Sequence, residues 1–405
     1  MEEVTYKVYG YRWVVLVVFM LAAAFNQLLW ITFAPITSSA ASFYGVSVLS
    51  IGLLSLSFMA VYLVVSIPAS WVIDTYGFRV AVGIGAVLTG VFGLMRGLVA
   101  SDYTLVLIAQ VGISIGQPFI INAVTKVAVR WFPLDERATA SGLGSLAMYV
   151  GILAGLVLTP FVSLQVGIAK TLLFYGVGAL VVGVAFLVVA REFPPSPLGP
   201  PEQEERALMF DGLKQALRKK DFILLMLIFF IGLGVFNAVT TWIEEIVRPR
   251  GFSITQAGNA GGLMIFGGVI GALVLPILSD RYRRRVPFII LAVAGATLGL
   301  VGVTFATSIW LLFSSSFVLG FFLLSSGPIG FQYGAEIARP TPEGTSNGLL
   351  LLMGQVSGIA FILGMDSFKV PATGSMTPSL LVLIGLMVVG LVVATRLHES
   401  DLLGS

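Results

Sequence analysis

A few polar and aromatic residues interrupt otherwise apolar stretches of this chain, and their side chains define the chemistry on offer. Asn26, Gln27 and Trp30 stand together, then Gln117 and Asn122, then Phe236, Asn237, Thr240 and Thr241, and last Gln355. Amides and hydroxyls donate and accept hydrogen bonds without carrying charge. Trp presents the best face for a large, weakly hydrated cation, and Phe236 offers a second ring. Taken singly, each amide reads equally well as glue between helices, and Trp30 and Phe236 as packing residues. Together they read as a neutral, hydrogen-bonding pocket with an aromatic wall. That is a site for recognition and not for bond breaking.

The ionisable residues narrow this further. The chain has 0 cysteines and a single histidine, His398, in the polar tail. Thiolate metal sites, disulfides and cysteine nucleophiles are excluded, and a histidine-ligated metal or haem has no ligand set. No cofactor or metal is expected, and an enzyme is not. None of the 20 acidic residues falls in the middle of an apolar run. Glu244 and Glu245 stand near the outer end of the seventh run, where the commoner reading is a solvated helix end. A proton-coupled carrier needs a buried carboxylate or histidine, and an anion carrier needs a central Arg or Lys. Arg96 is expected to snorkel from the outer end of its helix, and Lys126 lies near an inner end. Without a GxxxxGK loop, ATP-driven work is not expected either.

The elements that position these residues follow from composition. Charged residues make up 11% of the 405 and apolar ones 57%, with mean hydropathy +1.00. Soluble proteins carry roughly 25% charge. Apolar runs of spanning length, about 20 residues each, occur at about 13–40, 47–72, 79–100, 103–129, 137–163 and 170–190. Six more follow at about 221–247, 254–279, 286–307, 309–338, 344–365 and 377–396. The reading is an all-α membrane protein of twelve transmembrane helices. Residues 1–190 form an N-terminal six-helix bundle, 191–220 a linker and 221–405 a C-terminal six-helix bundle. Within the linker, Ala207 to Lys220 has the pattern of an amphipathic surface helix, and a plain tether is the simpler reading. Of the 23 Lys and Arg, seventeen fall on the side of the termini and linker and four on the other. That bias puts both termini in the cytoplasm of a multi-pass plasma-membrane protein, and it removes any need for a nucleic-acid partner. The lipid bilayer and a small-molecule substrate are the partners expected, with the chain as a monomer.

The two halves echo each other. Phe25-Asn26 followed by Trp30 matches Phe236-Asn237 followed by Trp242, and Gly116-Gln117-Pro118 matches Ser326-Gly327-Pro328. Eight residues beyond each of these prolines stands a charge, Lys126 or Glu336. Parallel repeats of this kind place a substrate site between them, worked by alternating access. Lys126 and Glu336 are expected to close an inner gate by pairing with each other, and separate pairing with loop charges is the equal alternative. The loop Asp74-Thr75-Tyr76-Gly77-Phe78-Arg79 resembles the major facilitator superfamily signature, with Ser70 and Thr75 replacing its first glycine and arginine. Its second copy is Asp280-Arg281-Tyr282-Arg283-Arg284. Asp74 with Arg79, and Asp280 with Arg281 and Arg284, are expected to pair as a latch.

A narrower resemblance rests on Tyr11-Arg12-Trp13-Val14-Val15-Leu16 with Asn26 and Trp30, on Phe43-Tyr44-Gly45-Val46-Ser47, and on Pro68-Ala69-Ser70-Trp71-Val72-Ile73-Asp74. It continues through Gly330-Phe331, Glu336, Pro340 and Glu343-Gly344-Thr345-Ser346-Asn347-Gly348-Leu349-Leu350 to Gln355. These stretches resemble the feline leukaemia virus subgroup C receptor family and touch both halves. The resemblance implies transport of choline or ethanolamine, with haem and pyridoxine as other cargoes proposed in that family. It implies a pocket of Trp30, Gln117 and Gln355, with Phe236 where the family has a tyrosine. The reading is a secondary transporter of a choline-like organic cation by facilitated diffusion. A multidrug or metabolite carrier for vitamins, neutral solutes or carboxylates is the alternative, and a non-transporting membrane sensor comes third.

Overall fold

A backbone amide removed from water must find its partner within its own segment, so apolar runs of this length fold as helices. The computed structural model describes residues 7–133, 136–196, 214–339, 341 and 343–400. Among these there is no strand, and twelve helical spans are long and apolar enough to cross a bilayer. They are α1 (Tyr11–Tyr44), α2 (Val48–Tyr76), α3 (Phe78–Leu98), α4 (Tyr103–Trp131), α5 (Thr139–Val166) and α6 (Ile168–Val189). The second six are α7 (Lys220–Thr241), α8 (Ile254–Tyr282), α9 (Val286–Phe305), α10 (Ile309–Ile337), α11 (Ser346–Ser367) and α12 (Thr377–Ala394). Of the amphipathic stretch expected from Ala207 to Lys220, the part up to 213 lies outside the described residues.

Three of the predicted helices are broken. α1 ends its first helix at Ile31, passes a 3-10 turn at Ala34–Ile36 around Pro35, and resumes at Thr37–Tyr44. α4 contains Pro118, which cannot donate to the helical ladder, and it breaks between Ile121 and Val124. The seventh helix stops at Thr241 and a separate short helix, Ile243–Val247, follows Trp242.

The chain divides into two units, Met1–Glu204 and Glu205–Ser405. In the first, α1 packs on α5 and α6, α2 on α4, and α3 on α4 and α6. In the second, α7 packs on α11 and α12, α8 on α10, and α9 on α10 and α12. Adding six to each label turns the first set of pairings into the second. Duplication is therefore visible in packing as well as in short sequence echoes.

Close contact between helices relies on glycine where backbones touch. A Cβ on Gly320 of α10 would lie 1.7 Å from the Met264 carbonyl oxygen of α8, so no larger residue fits. In the first unit, Phe19, Phe78, Trp131, Phe132 and Phe186 form a buried aromatic cluster at the end bearing the N-terminus. That cluster fixes the ends of α1, α3, α4 and α6 against one another.

Candidate functional site

Asn26, Gln27 and Trp30 lie within little more than one turn of α1. Asn26 is fully buried: its Nδ2 donates to Thr89 Oγ1 on α3 at 3.0 Å, and its Oδ1 accepts from Gln27 Nε2 at 3.3 Å. Trp30 is 6% exposed, and its indole N–H donates to the Ser55 carbonyl of α2 at 3.2 Å. That bond satisfies the edge of the indole and leaves recognition to its faces. On α4, Gln117 is also buried, and its amide makes no hydrogen bond among the described residues. Asn122 differs: it accepts from Tyr62 Oη at 2.8 Å and donates to Ser66 Oγ and Ser70 Oγ at 3.1 and 3.2 Å. Asn26 and Asn122 are therefore joints between helices, while Gln117 is uncommitted.

Arg96 of α3 corrects an expectation. It does not snorkel; it is 0% exposed. Its Nη1 donates to the Leu29 carbonyl at 2.9 Å and to Gln110 Oε1 at 2.6 Å, and its Nη2 to Thr32 Oγ1 at 3.4 Å. The guanidinium lies over the Phe33 ring, 5.5 Å from its centroid. These partners are neutral, and a buried charge is tolerated only when hydrogen bonds replace its water. Arg96 thereby ties α3 and α4 to the stretch of α1 that carries Trp30.

In the second unit, Phe236 is buried and Asn237 Nδ2 donates to the Gly354 carbonyl of α11 at 3.1 Å. The next residue, Gln355, is half-buried, and its amide makes no hydrogen bond among the described residues. The Thr240 and Thr241 hydroxyls are buried and have no hydrogen-bond partner among the described residues. Trp242 Nε1 donates to the Ile362 carbonyl at 3.1 Å and fixes the broken end of α7 to α11. Beyond it, Glu244 and Glu245 are buried and not solvated, contrary to expectation. Arg248 reaches both, and Lys369 Nζ lies 2.5 Å from Glu245 Oε2. Each carboxylate here is neutralised within its own unit.

In each unit, the end that bears its chain terminus carries the residues read as a latch. Asp74 pairs with Lys126 at 3.9 Å and not with Arg79, whose side chain makes no ion pair among the described residues. Asp280 pairs with Arg285 and not with Arg281 or Arg284, which are exposed. Arg285 also holds Glu336 at 3.2 Å. Lys126 and Glu336 thus each have a partner inside their own unit. The equivalent positions carry opposite charge, so Lys126 meets its loop aspartate directly while Glu336 needs an arginine between. Burial works against the charge on Arg285, and the Asp280 and Glu336 carboxylates more than offset it, raising its pKa.

Two residues at this end were not legible as functional. Glu192 accepts the backbone N–H groups of Phe78 and Arg79 at 3.3 and 2.7 Å. Glu399 accepts those of Arg285 and Val286 at 3.0 to 3.1 Å. Both satisfy helix N-termini, which lack internal partners and favour negative charge. The signal is positional: each is the first acid after the last helix of its half. Gly77 permits the first contact, since a Cβ there would lie 2.2 Å from Glu192 Oε1. Burial raises the Glu192 carboxyl above its ordinary pKa, and the two backbone donors, Arg130 and Lys126 pull it back only in part.

The sequence pattern of the Major Facilitator Superfamily matches residues 15–362. The chain belongs to that superfamily. It is a multi-pass membrane protein and a secondary transporter. Solute carrier family 49 member A3 of Xenopus tropicalis is 30% identical to this carrier over 396 residues, 93% of this chain and 82% of that protein. The choline/ethanolamine transporter flvcr2a of Danio rerio is 29% identical over 376 residues, 88% of this chain and 80% of that protein. The choline/ethanolamine transporter FLVCR1 of Felis catus is 27% identical over 417 residues, 96% and 73% respectively. The resemblance noted in the sequence is thus matched over most of the carrier. Among solved structures, an inward-facing, unoccupied bacterial homologue of the human lysosomal transporter Spinster superposes with a TM-score of 0.79 at 16% identity, covering 96% of this chain and 98% of that one. That likeness concerns the fold alone.

Proposed function

We propose that the carrier moves a small organic cation of the choline type, bound against Trp30 with Phe236, Gln117 and Gln355 as further contacts. The observation that carries this is the division of labour among the amides. Asn26, Asn122 and Asn237 are consumed by neighbouring helices, whereas Gln117 and Gln355 keep their hydrogen-bonding capacity. Trp30 has its edge satisfied by the Ser55 carbonyl, so a cation would meet its face. Relatives named as choline/ethanolamine transporters support the substrate class. Gln27 and Asn237 then hold the pocket in shape through their bonds to Asn26 and Gly354, and the Thr240 hydroxyl, without a partner among the described residues, is a further contact.

In this reading the carrier works by alternating access as a monomer of the plasma membrane, with both termini cytoplasmic. A negative interior drives each unit charge inward by about 2.3 kcal/mol per 100 mV, so no coupled ion is needed. The clusters Asp74–Lys126 and Asp280–Arg285–Glu336 act as latches that exchange partners when the carrier turns over. Reciprocal substitution, K126E with E336K, tests whether Lys126 and Glu336 also meet.

A second reading follows from Arg96. A permanent cation beside the Trp30 stretch of α1 favours a neutral or carboxylate metabolite over a cation. A thermal-shift panel of amines, vitamins and carboxylates separates the two, run on the parent and on Trp30→Ala. Choline-class shifts that vanish in W30A support the first reading; shifts by carboxylates alone sink it. Counterflow in proteoliposomes then distinguishes a carrier from a sensor, which binds without exchange.

A further inference from the structure

Arg79, left out of the latch, lies at the mouth of a groove that the proposed transport does not use. The groove is open on one side, has a volume of about 480 Å³ and runs along α3 beside α6. Apart from Arg79 it is lined by Val80, Gly83, Ile84, Val87 and Leu88 of α3 and by Leu187 of α6. Gly83 forms its floor: a Cβ there would reach Leu187 Cδ2 at 3.2 Å, so the missing side chain is what leaves the space. Val80, Ile84, Val87 and Leu187 are 39–47% exposed, a surface that only hydrocarbon covers well in a membrane protein.

Charge is placed at one end only. Arg79 is exposed, and its guanidinium has no carboxylate partner among the described residues. Glu192, which accepts the Arg79 backbone N–H, is consumed by that bond and by one from Phe78 and lies 3.8 Å from Arg130. From Arg79 to Leu88 the groove follows nine residues of helix, roughly 13 Å at 1.5 Å per residue. That is close to the depth of one leaflet's hydrocarbon, about half of 30 Å.

We infer that this groove binds a glycerophospholipid, with the phosphodiester on Arg79 and one acyl chain laid along α3 toward the bilayer centre. The match is one guanidinium to one phosphodiester charge, at the level where a headgroup sits. Arginine suits such a group because its planar fork makes paired hydrogen bonds to phosphate oxygens. Basic residues between helices at this depth recognise lipid headgroups elsewhere by the same electrostatics.

The test uses the full chain purified in detergent, with lipid retention read by native mass spectrometry. Dioleoylphosphatidylglycerol and dioleoylphosphatidylcholine share the phosphodiester; dioleoylglycerol has the same chains and lacks it. The parent should retain both phospholipids at least tenfold better than dioleoylglycerol. Arg79→Ala should reduce phospholipid retention to the dioleoylglycerol level, and Arg79→Lys should fall between. Val87→Trp fills the groove from its exposed side and should displace all three lipids. Both positions are exposed, so melting temperatures without added lipid should match the parent and report that the fold is intact. Parental retention in R79A, or dioleoylglycerol held as well as the phospholipids, overturns the proposal.

Discussion

Glu192 caps the start of α3 as Glu399 caps the start of α9, each reaching back from just beyond the sixth helix of its own half. The carboxylates neutralise the positive ends of two helices that also carry Arg79 and Arg285. The arrangement ties the segment after each bundle to the loop between its second and third helices. That loop is the one that resembles the superfamily signature, and its aspartates bond elsewhere.

The Glu192 cap should be visible as a pH effect. A carboxyl whose folded pKa is raised favours its protonated form in the folded state. Its contribution is therefore fully present below the unfolded value, 4.5, and is lost as pH rises through the raised folded value. On acidification toward 4.5 the parent should gain stability relative to Glu192→Gln, which cannot titrate there. Melting curves of both proteins across that range check the sign; a constant difference between them would refute it.

Arg96 should be the most damaging single truncation in the first unit. Arg96→Ala takes the charged donor from Gln110 Oε1, while Gln110 Nε2 still reaches the Leu29 carbonyl at 3.4 Å, at a cost of about 1–3 kcal/mol. Replacing Arg96 and Gln110 together by leucine removes the amide left without its donor and should recover part of that loss. Monodisperse yield and melting temperature of the single and double variants decide this. A double variant worse than R96A would mean the charge itself is needed.

Two amides on neighbouring helices should separate stability from binding. Asn26→Ala removes an interhelical bond worth about 0.6–1.7 kcal/mol and should lower the melting temperature. Gln117→Ala should leave it unchanged while weakening ligand affinity about tenfold, or 1.4 kcal/mol. Ligand titration alongside thermal denaturation reads both quantities. Equal effects of the two substitutions would contradict the assignment.

In the second unit, Arg285 should matter more than either carboxylate it holds. Arg285→Ala strands Glu336, whose side chain is 8% exposed, at a cost of about 3–5 kcal/mol. Glu336→Gln should cost less, because Asp280 still pairs with the arginine. The double variant R285A/E336Q should regain stability over R285A alone. A double-mutant cycle with no coupling would show that the pair is incidental.

The twelve helices and the sixfold echo were legible because they depend on local sequence, on runs of apolar residues and on phrases such as Gly116-Gln117-Pro118. Partner choice was not. Arg96 lies near the end of its helix, where a long side chain ordinarily reaches water. Only the placement of Leu29, Thr32 and Gln110 turns it inward. Asp74 has Arg79 five residues away, yet α4 brings Lys126 to it instead. Glu244 and Glu245 read as a polar helix end, yet both are buried and Lys369, far along the chain, pairs with Glu245. For Arg96 and Asp74 the deciding neighbour comes from another helix, about which spacing along one helix carries no information; for Glu244 and Glu245 the spacing offers Arg248 but not Lys369.

The neutral cage around Arg96 constrains the order in which the molecule is made. α3 emerges before α4, so Arg96 reaches the insertion machinery while Gln110, 14 residues behind it, is still within the ribosome. Alone, an arginine in a helix entering lipid faces about 2.5–3.5 kcal/mol if it lies near the centre. At that moment only α1, already delivered, can offset it, through Leu29, Thr32 and the Phe33 ring. The cage is complete only once α4 arrives, so α3 and α4 are expected to settle into the bilayer as a hairpin.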